Sequence, residues 1–388
     1  RGWSKNFRKN NMSARKNLII EDETYFTPLQ ARKTFPLHLH WDGSIPVEEL
    51  FSLAQKREEK LLLPEKDVHN QLIFYASEEE RKINSSEKLR QFQHELLHKY
   101  KITDVFDVPI SFMQTKEDLN ETARVLCRYL KKQNSPYAEV RFAPQYHMRK
   151  GLNLEQVIGY SLDGFAQGEE ETGVKVKLII SIGREASAEV GKKVVEAALN
   201  FEEKGVVGID LACYELGNPP EKHLSAFQLT FCSSLRRTVH AGEMCSEEEN
   251  LRNIYIALTE LKADGISHAL PLYKRYYEKN DLIELMINRG ARLESNPLSN
   301  YQFFIQNLEE LHLDELVHAG MLVTINPDDP AMWKHGDLVD SLYFLGKLYG
   351  DEFVRKVVSN SIQAAWGLNE EEKKIYCICL ASSKSQHK

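Results

Sequence analysis

With 388 residues, the chain is long enough for one large α/β barrel or two average domains. Hydrophobic residues at 42% and charged residues at 28% are ordinary for a globular protein, and a net charge of −7 argues against a general affinity for nucleic acid. Six scattered cysteines, with Cys377 and Cys379 the one close pair, make no disulfide framework and fit a reducing compartment such as the cytoplasm, and no apolar run approaches the roughly 20 residues that span a bilayer.

Residues 1–34 stand apart. Arg1, Lys5, Arg8, Lys9, Arg15 and Lys16 precede the first acid, Glu21, without the apolar stretch of a secretory signal. The segment reads as a basic, flexible leader, with Met12 a candidate start. From Phe35 onward, short β-type runs alternate with longer amphipathic stretches. Strands are expected at 35–40, 137–142, 176–182, 206–211, 238–241, 265–268, 292–295 and 322–326. Helices are expected at 47–60, 117–132, 154–171, 188–204, 247–263, 281–289 and 337–349. This alternation points to a parallel sheet, and eight strands in one uninterrupted series to a closed (β/α)8 barrel over residues 35–370. Residues 61–111 break the rhythm. They hold helical pieces such as 87–100 but no convincing strand, and read as a helical insertion after the first strand, a place for lid material. Residues 371–388 form a C-terminal extension whose polar end, Ser382 to Lys388, should fray.

The chemically distinctive residues fall at the carboxyl ends of the expected strands, where barrel enzymes keep their catalytic groups. His38 and His40, in His38-Leu39-His40-Trp41-Asp42-Gly43-Ser44, share one strand face because side chains alternate with period two. That face points into the barrel, where apolar layers are expected, and a bound metal would satisfy both imidazoles there. In His240-Ala241-Gly242-Glu243 the small residues let backbone and ligand approach closely, and Glu243 can reach the same cavity as a proton shuttle. His268 ends another strand. Asp328 and Asp329, in Asn326-Pro327-Asp328-Asp329-Pro330, are adjacent and point different ways, so one can ligate a metal while the other meets the substrate. Each cluster alone has an ordinary explanation: edge histidines, a solvated acidic turn beside Glu247, Glu248 and Glu249, a core histidine, or a turn rich in Asn, Pro and Asp. Together, His38, His40, His240 and Asp328 make a divalent-metal set with a water as fifth ligand, whose pKa the metal would lower towards about 7. His268 would hold or deprotonate that water, and Asp328 would help orient it.

On these motifs the chain resembles the adenosine/AMP deaminase family, in particular adenosine deaminases whose first motif is of the His-x-His-x-Asp-Gly-Ser kind. The resemblance runs from about Phe35 to about Leu368. It takes in Tyr137 to Pro144, Val207 to Ala212, His240 to Glu243, Ser295 to Asn300 and Asp328-Asp329-Pro330. It implies one zinc ion, or another divalent metal, on His38, His40, His240 and Asp328. Glu243 would protonate the purine ring nitrogen beside the attacked carbon, and His268 would stabilise and orient the attack. Asp329 would accept a hydrogen bond from the imidazole side of the ring, Asp42 would contact ribose hydroxyls, and the backbone amide at Cys213 would meet the purine. The implied reaction is hydrolytic deamination of adenosine, and of 2′-deoxyadenosine, to the inosine product and ammonia in purine salvage. The implied partner is a small purine nucleoside, with no nucleic acid or membrane, and the implied assembly a monomer or weak oligomer.

Four departures from the family pattern bear on the substrate. Cys213 stands where the family usually has Gly, so the amide survives but the side chain reshapes the pocket. Ser267-His268-Ala269 replaces Gly-His-Gly, Pro327 replaces a frequent Thr, and Trp41 replaces an aliphatic residue. Asp42 favours a ribose-bearing substrate over adenine, whose specific relatives tend to carry Glu there. No cluster of basic residues dedicated to a phosphate is evident, which weighs against AMP. A preference for a 5′-methylthio or aminodeoxyfutalosine-type nucleoside would be written at Cys213 and in 61–111. More remote alternatives are another metal-dependent barrel amidohydrolase, which would want a lysine ending a mid-barrel strand that 176–182 and 206–211 lack, and a catalytically inert binding protein, against which every chemical position is occupied.

Overall fold

A computed structural model describes residues 18–95, 98–274 and 280–382. Strands β1 (Leu39–His40), β2 (Tyr137–Phe142), β3 (Lys175–Gly183), β4 (Val206–Ala212), β5 (Arg236–Ala241), β6 (Gly265–His268), β7 (Arg292–Ser295) and β8 (Leu322–Ile325) form one sheet in sequence order. Every neighbouring pair is parallel. At the seam, the His40 amide donates to the Asp328 carbonyl at 2.9 Å and the Asp328 amide to the His38 carbonyl at 3.2 Å, which closes the expected (β/α)8 barrel.

Period-two alternation divides the strand residues into two sets. The outward set is apolar: Val140, Leu178, Ile180, Ile209, Val239 and Leu293 are fully buried beneath the helices. The inward set is not the apolar filling expected. Glu139, Arg141, Asp210, Arg292 and Glu294 are equally buried, and they pair across the barrel. Arg141 donates to Glu294 at 2.7 Å, and Arg292 donates to Glu139 at 2.6 Å and to Glu294 at 2.8 Å. Burial pushes the Glu294 carboxyl up, but Arg141 and Arg292 outweigh it and hold the group well below the usual carboxylate range. Such a network is maintained only while each charge keeps its partner.

The helices start where the sequence caps them. Thr115 accepts from the Asp118 amide to open Lys116–Lys132, which buries Leu119, Ala123, Leu126 and Leu130 at helical spacing. Asn153 and Gln156 form a capping box for the partner helix Leu154–Thr172. The insertion contains helices Glu78–Arg81, Ser86–His94 and Ile102–Ser111, with isolated bridges joining Leu62 to Lys82 and Lys66 to Leu72. Arg90 of Ser86–His94 bonds Glu48 of the helix Val47–Lys56. Arg90 also lines a cavity of about 370 Å³ with Ser44, Pro330, Trp333 and Asp340, so the insertion lies beside the ends of β1 and β8.

Several boundaries differ from expectation. β1 was expected over 35–40, but the Leu37 and His38 amides donate to the Asn326 side chain, at 2.8 and 3.1 Å, instead of to a strand. Within the expected leader, residues 1–17 lie outside the described residues, whereas 18–34 are folded. There Asp22 caps a helix, Glu23–Gln30, with Leu29 buried, and the Asp22 amide donates to the Tyr343 hydroxyl at 3.0 Å. Helices Pro297–Phe303, Leu313–His318 and Asp351–Ala364 were not anticipated. The chain continues as helix Glu370–Ser382, and residues 383–388 lie outside the described part. Among the described residues no helix is long and apolar enough to cross a membrane.

Candidate active site

The strand ends bring His38, His40, His240 and Asp328 together, with one ligand atom from each lying within 4.8 Å of the others. His40 Nε2 is 3.3 Å from His38 Nε2 and 3.2 Å from His240 Nε2, and His38 Nε2 is 2.9 Å from Asp328 Oδ1. On the far side of each ring, His38 Nδ1 lies 3.0 Å from Glu294 Oε2 and His240 Nδ1 lies 3.1 Å from Asp210 Oδ1. Those carboxylates accept from the Nδ1–H groups, so the Nε2 lone pairs of His38 and His240 are left to face the cluster. Converging lone pairs repel unless a cation stands between them. Ligands about 2.1 Å from a common ion at tetrahedral angles stand about 3.4 Å apart, so the donor set and its spacing fit one divalent metal. Burial depresses the His240 pKa to about 4 against the pull of Asp210, so its imidazole is neutral and available as a ligand.

The backbone is strained where these groups are aimed. Asp328, His268 and Cys213 are non-glycine residues at φ 64°, 65° and 76°. Each costs of order 1–3 kcal/mol, a pattern that clusters at functional sites. Gly242 is also left-handed, at φ 83°, and an added Cβ would lie 2.7 Å from Ile254. Its smallness therefore serves the turn and its packing.

Glu243 projects beside the cluster with a side chain 9% exposed, and its carboxylate lies 3.7 Å from His268 Nε2. This separates it from Glu247, Glu248 and Glu249, which open the next helix. Burial, helped by the charges of Asp328 and Glu215 and opposed by His268, pushes Glu243 up to about 7. His268 donates through Nδ1 to Asn300 Oδ1 at 2.9 Å, which turns Nε2 towards Glu243 and towards Asp328, 3.8 Å away. Burial lowers its pKa, but Glu243, Asp328 and Asn300 outweigh it and hold the imidazole above its ordinary value.

Asp42 is 9% exposed, and burial lifts its carboxyl to about 6. Asp329 is pushed well above the ordinary range by burial, then by Asp328 and Asp42. Cys213 places its sulfur 3.9 Å from the Tyr146 hydroxyl at the edge of the same region.

The sequence reading missed the carboxylates behind the histidines, Glu294 and Asp210, and the orienting Asn300. Asp210 and Asn300 lie inside motifs already noted, and period two would have turned Asp210 inward. Glu215 carried no signal at all. It accepts from the backbone amides of Gly242, Glu243 and Met244 at 3.0, 2.9 and 3.1 Å, and from Asn253 at 2.9 Å. It thereby holds the turn that carries Glu243. Glu215→Gln turns one acceptor oxygen into a donor against these amides. It is expected to lower kcat about 10- to 100-fold with metal content unchanged, since a charge-assisted hydrogen bond contributes roughly 1.5–3 kcal/mol. Steady-state rates with metal analysis check this, and wild-type kcat would dismiss the positioning role.

The chain matches the family described as adenosine deaminase over residues 34–377. It is 30% identical over 346 residues to the adenosine deaminase of Clostridium kluyveri, covering 88% of this chain and 91% of that one. It is 31% identical over 340 residues to the adenine deaminase of Wolinella succinogenes, covering 87% and 93%. The crystal structure of an adenine deaminase from Arthrobacter aurescens superimposes with a TM-score of 0.73 at 25% identity, covering 90% of this chain and 98% of that one.

Proposed function

The chain belongs to the adenosine deaminase family and is a hydrolytic deaminase, and from that premise we propose that it converts adenosine and 2′-deoxyadenosine to the corresponding inosines and ammonia. One observation carries the proposal: a carboxylic acid with its pKa at about 7 stands beside a cluster of three imidazoles and a carboxylate. Zinc is the proposed metal, because nitrogen-rich tetrahedral or five-coordinate sets suit it. When bound to His38, His40, His240 and Asp328, such an ion supplies an acidified water.

The protein's own groups do the rest. Glu243 is half protonated near neutral pH and can hand its proton to the ring nitrogen beside the attacked carbon, making a poor electrophile a better one. His268 gives its Nδ1–H to Asn300, and in its imidazolium form, which the neighbouring Glu243 and Asp328 favour, it presents an Nε2–H to a developing negative charge. Asp329, expected as an acceptor towards the imidazole side of the ring, is proposed here as a donor. The imidazole-side nitrogen of adenosine is an acceptor, so a hydrogen bond to Asp329 needs a proton on the carboxyl, a form that burial and the charges of Asp328 and Asp42 favour. Asp42 is proposed to meet the ribose. Adenine is the second reading, favoured by the adenine deaminases among the relatives.

Ammonia release from adenosine, 2′-deoxyadenosine, 5′-methylthioadenosine, AMP and adenine, side by side, tests the substrate. Turnover of the first two alone is expected. Adenine turnover alone would move the function to the base, and activity confined to the 5′-modified nucleosides would move it to them. The pH profile tests the acid. A group with a raised pKa acts in its protonated form below that pKa, so kcat/KM should be level in mildly acidic buffer and fall roughly tenfold per unit above about 7. A profile flat from neutral to alkaline pH would remove Glu243 as the proton donor.

A further inference from the structure

Gln145 sits in the single turn Pro144–Tyr146 that follows β2, and both polar atoms of its carboxamide are buried with no hydrogen-bond partner among the described residues. A carboxamide offers two N–H donors and an acceptor oxygen, and burying all of them unpaired is unfavourable enough to need a reason.

The position of the carboxamide follows from β3. Ser181 points into the barrel, where its hydroxyl donates to Asp210 Oδ2 at 3.2 Å. Period two therefore turns Gly183, the last residue of β3, inward one layer higher, at the barrel mouth. A Cβ on Gly183 would lie 2.7 Å from Gln145 Nε2 and 2.2 Å from the Tyr146 hydroxyl oxygen. The two side chains thus fill the place of a side chain at 183, one layer above the Asp210 that holds His240. Tyr146 in turn reaches the Cys213 sulfur. Asp42 is near enough for its charge to bear on both Tyr146 and Cys213.

The reacting groups Glu243, His268, Asp328 and Asp329 come from the β5, β6 and β8 ends, whereas Gln145, Tyr146 and Cys213 come from the β2 and β4 ends. A substrate whose reacting carbon lies in the first half turns its remote part towards the second. In a purine nucleoside that remote part includes the sugar, whose hydroxyls both donate and accept.

We propose that the Gln145 carboxamide is a substrate-recognition group that hydrogen-bonds a sugar hydroxyl of the nucleoside, a role that rests on the nucleoside reading given above. Its unpaired atoms find their partners when the nucleoside enters. The proposal makes an unusual demand of the variant Gln145→Leu. It removes an unsatisfied buried amide, so its thermal midpoint should be equal to or above wild type, while its ligand affinity falls.

Product binding reads this without turnover. In calorimetric titrations of the zinc-loaded protein with inosine and with hypoxanthine, Gln145→Leu should weaken inosine at least tenfold and leave hypoxanthine within twofold. With adenosine, KM should rise at least tenfold and kcat stay within threefold. Inosine affinity at the wild-type level would overturn the proposal. So would an equal loss for inosine and hypoxanthine, which would place the carboxamide on the base, or a fall in thermal midpoint with all constants, which would make it structural. The nucleoside reading itself fails separately, in the unmutated protein, as absent ammonia release from adenosine.

Discussion

Replacing Glu243 by Gln is expected to lower kcat by about 10²- to 10⁴-fold, the range that a positioned proton donor contributes. Glutamine keeps the volume and can keep polar contact with His268, which lies 3.7 Å from the carboxylate in the parent protein. The turn stays in place, because Glu215 holds it through the backbone amides of residues 242–244, which the substitution leaves alone. Only the transferable proton is lost. Metal content and thermal midpoint should therefore match wild type, and KM should change little compared with kcat. The residual rate should also lack the alkaline fall near pH 7, because the group whose pKa is about 7 is gone. Ammonia release across pH, with metal analysis of the same preparation, makes the measurement. Turnover within a few-fold of wild type would take Glu243 out of the mechanism.

The contrast between Glu243 and Glu215 shows how far sequence can be read. Glu243 was legible because it follows a histidine in a short motif at a strand end. Glu215 acts through backbone amides of a distant segment, and nothing in its own neighbourhood announces that. The barrel itself was legible, since each strand is a short β-type run followed by an amphipathic helix. Its interior was not. Period two places Glu139, Arg141, Asp210, Arg292 and Glu294 inward, but an expectation of apolar layers had no use for charge there. Those charges serve the site. Arg141 and Arg292 keep Glu294 ionised, and Glu294 fixes His38 so that its Nε2 faces the other donors. The short β1 has a similar cause, because the amides of Leu37 and His38 are captured by the Asn326 side chain 288 or more positions away. The fold of residues 18–34 was missed because basic composition dominated the reading, whereas Leu29 and the bond from the Asp22 amide to Tyr343 tie that segment to the body. The upward push on the Asp329 carboxyl comes from its burial and from Asp42 and Glu243 being gathered beside the adjacent Asp328, and only the last of these is visible in the local sequence.

Asp328→Ala is expected to empty the metal site and bring turnover to the detection limit. Asp328 is the sole carboxylate in the four-donor set, and its oxygen lies 2.9 Å from His38 Nε2 and 3.5 Å from His40 Nε2. The neighbouring imidazoles His38, His268 and His40 overcome burial to hold its carboxyl well below the ordinary range, so it stays an anion throughout the working pH range. Without it, three imidazoles remain, and as ligands they bring no negative charge to offset a dication in a buried site. Glu294→Gln makes the graded comparison. It leaves all four donors but exchanges the carboxylate behind His38 for a neutral, weaker carboxamide acceptor, a change of the kind that weakens metal binding about 10- to 100-fold. It also leaves Arg141 and Arg292 without their shared carboxylate, so some loss of stability should accompany it. Metal retained after dialysis against a chelator of known affinity should therefore fall in the order wild type, Glu294→Gln, Asp328→Ala, with the last near zero. Activity should return on adding metal to the Glu294 variant and not to the Asp328 variant. Full metal content in Asp328→Ala would remove that carboxylate from the ligand set, and the three histidines would then need another anionic partner, for which Asp329 and Asp42 beside His40 are the groups within reach.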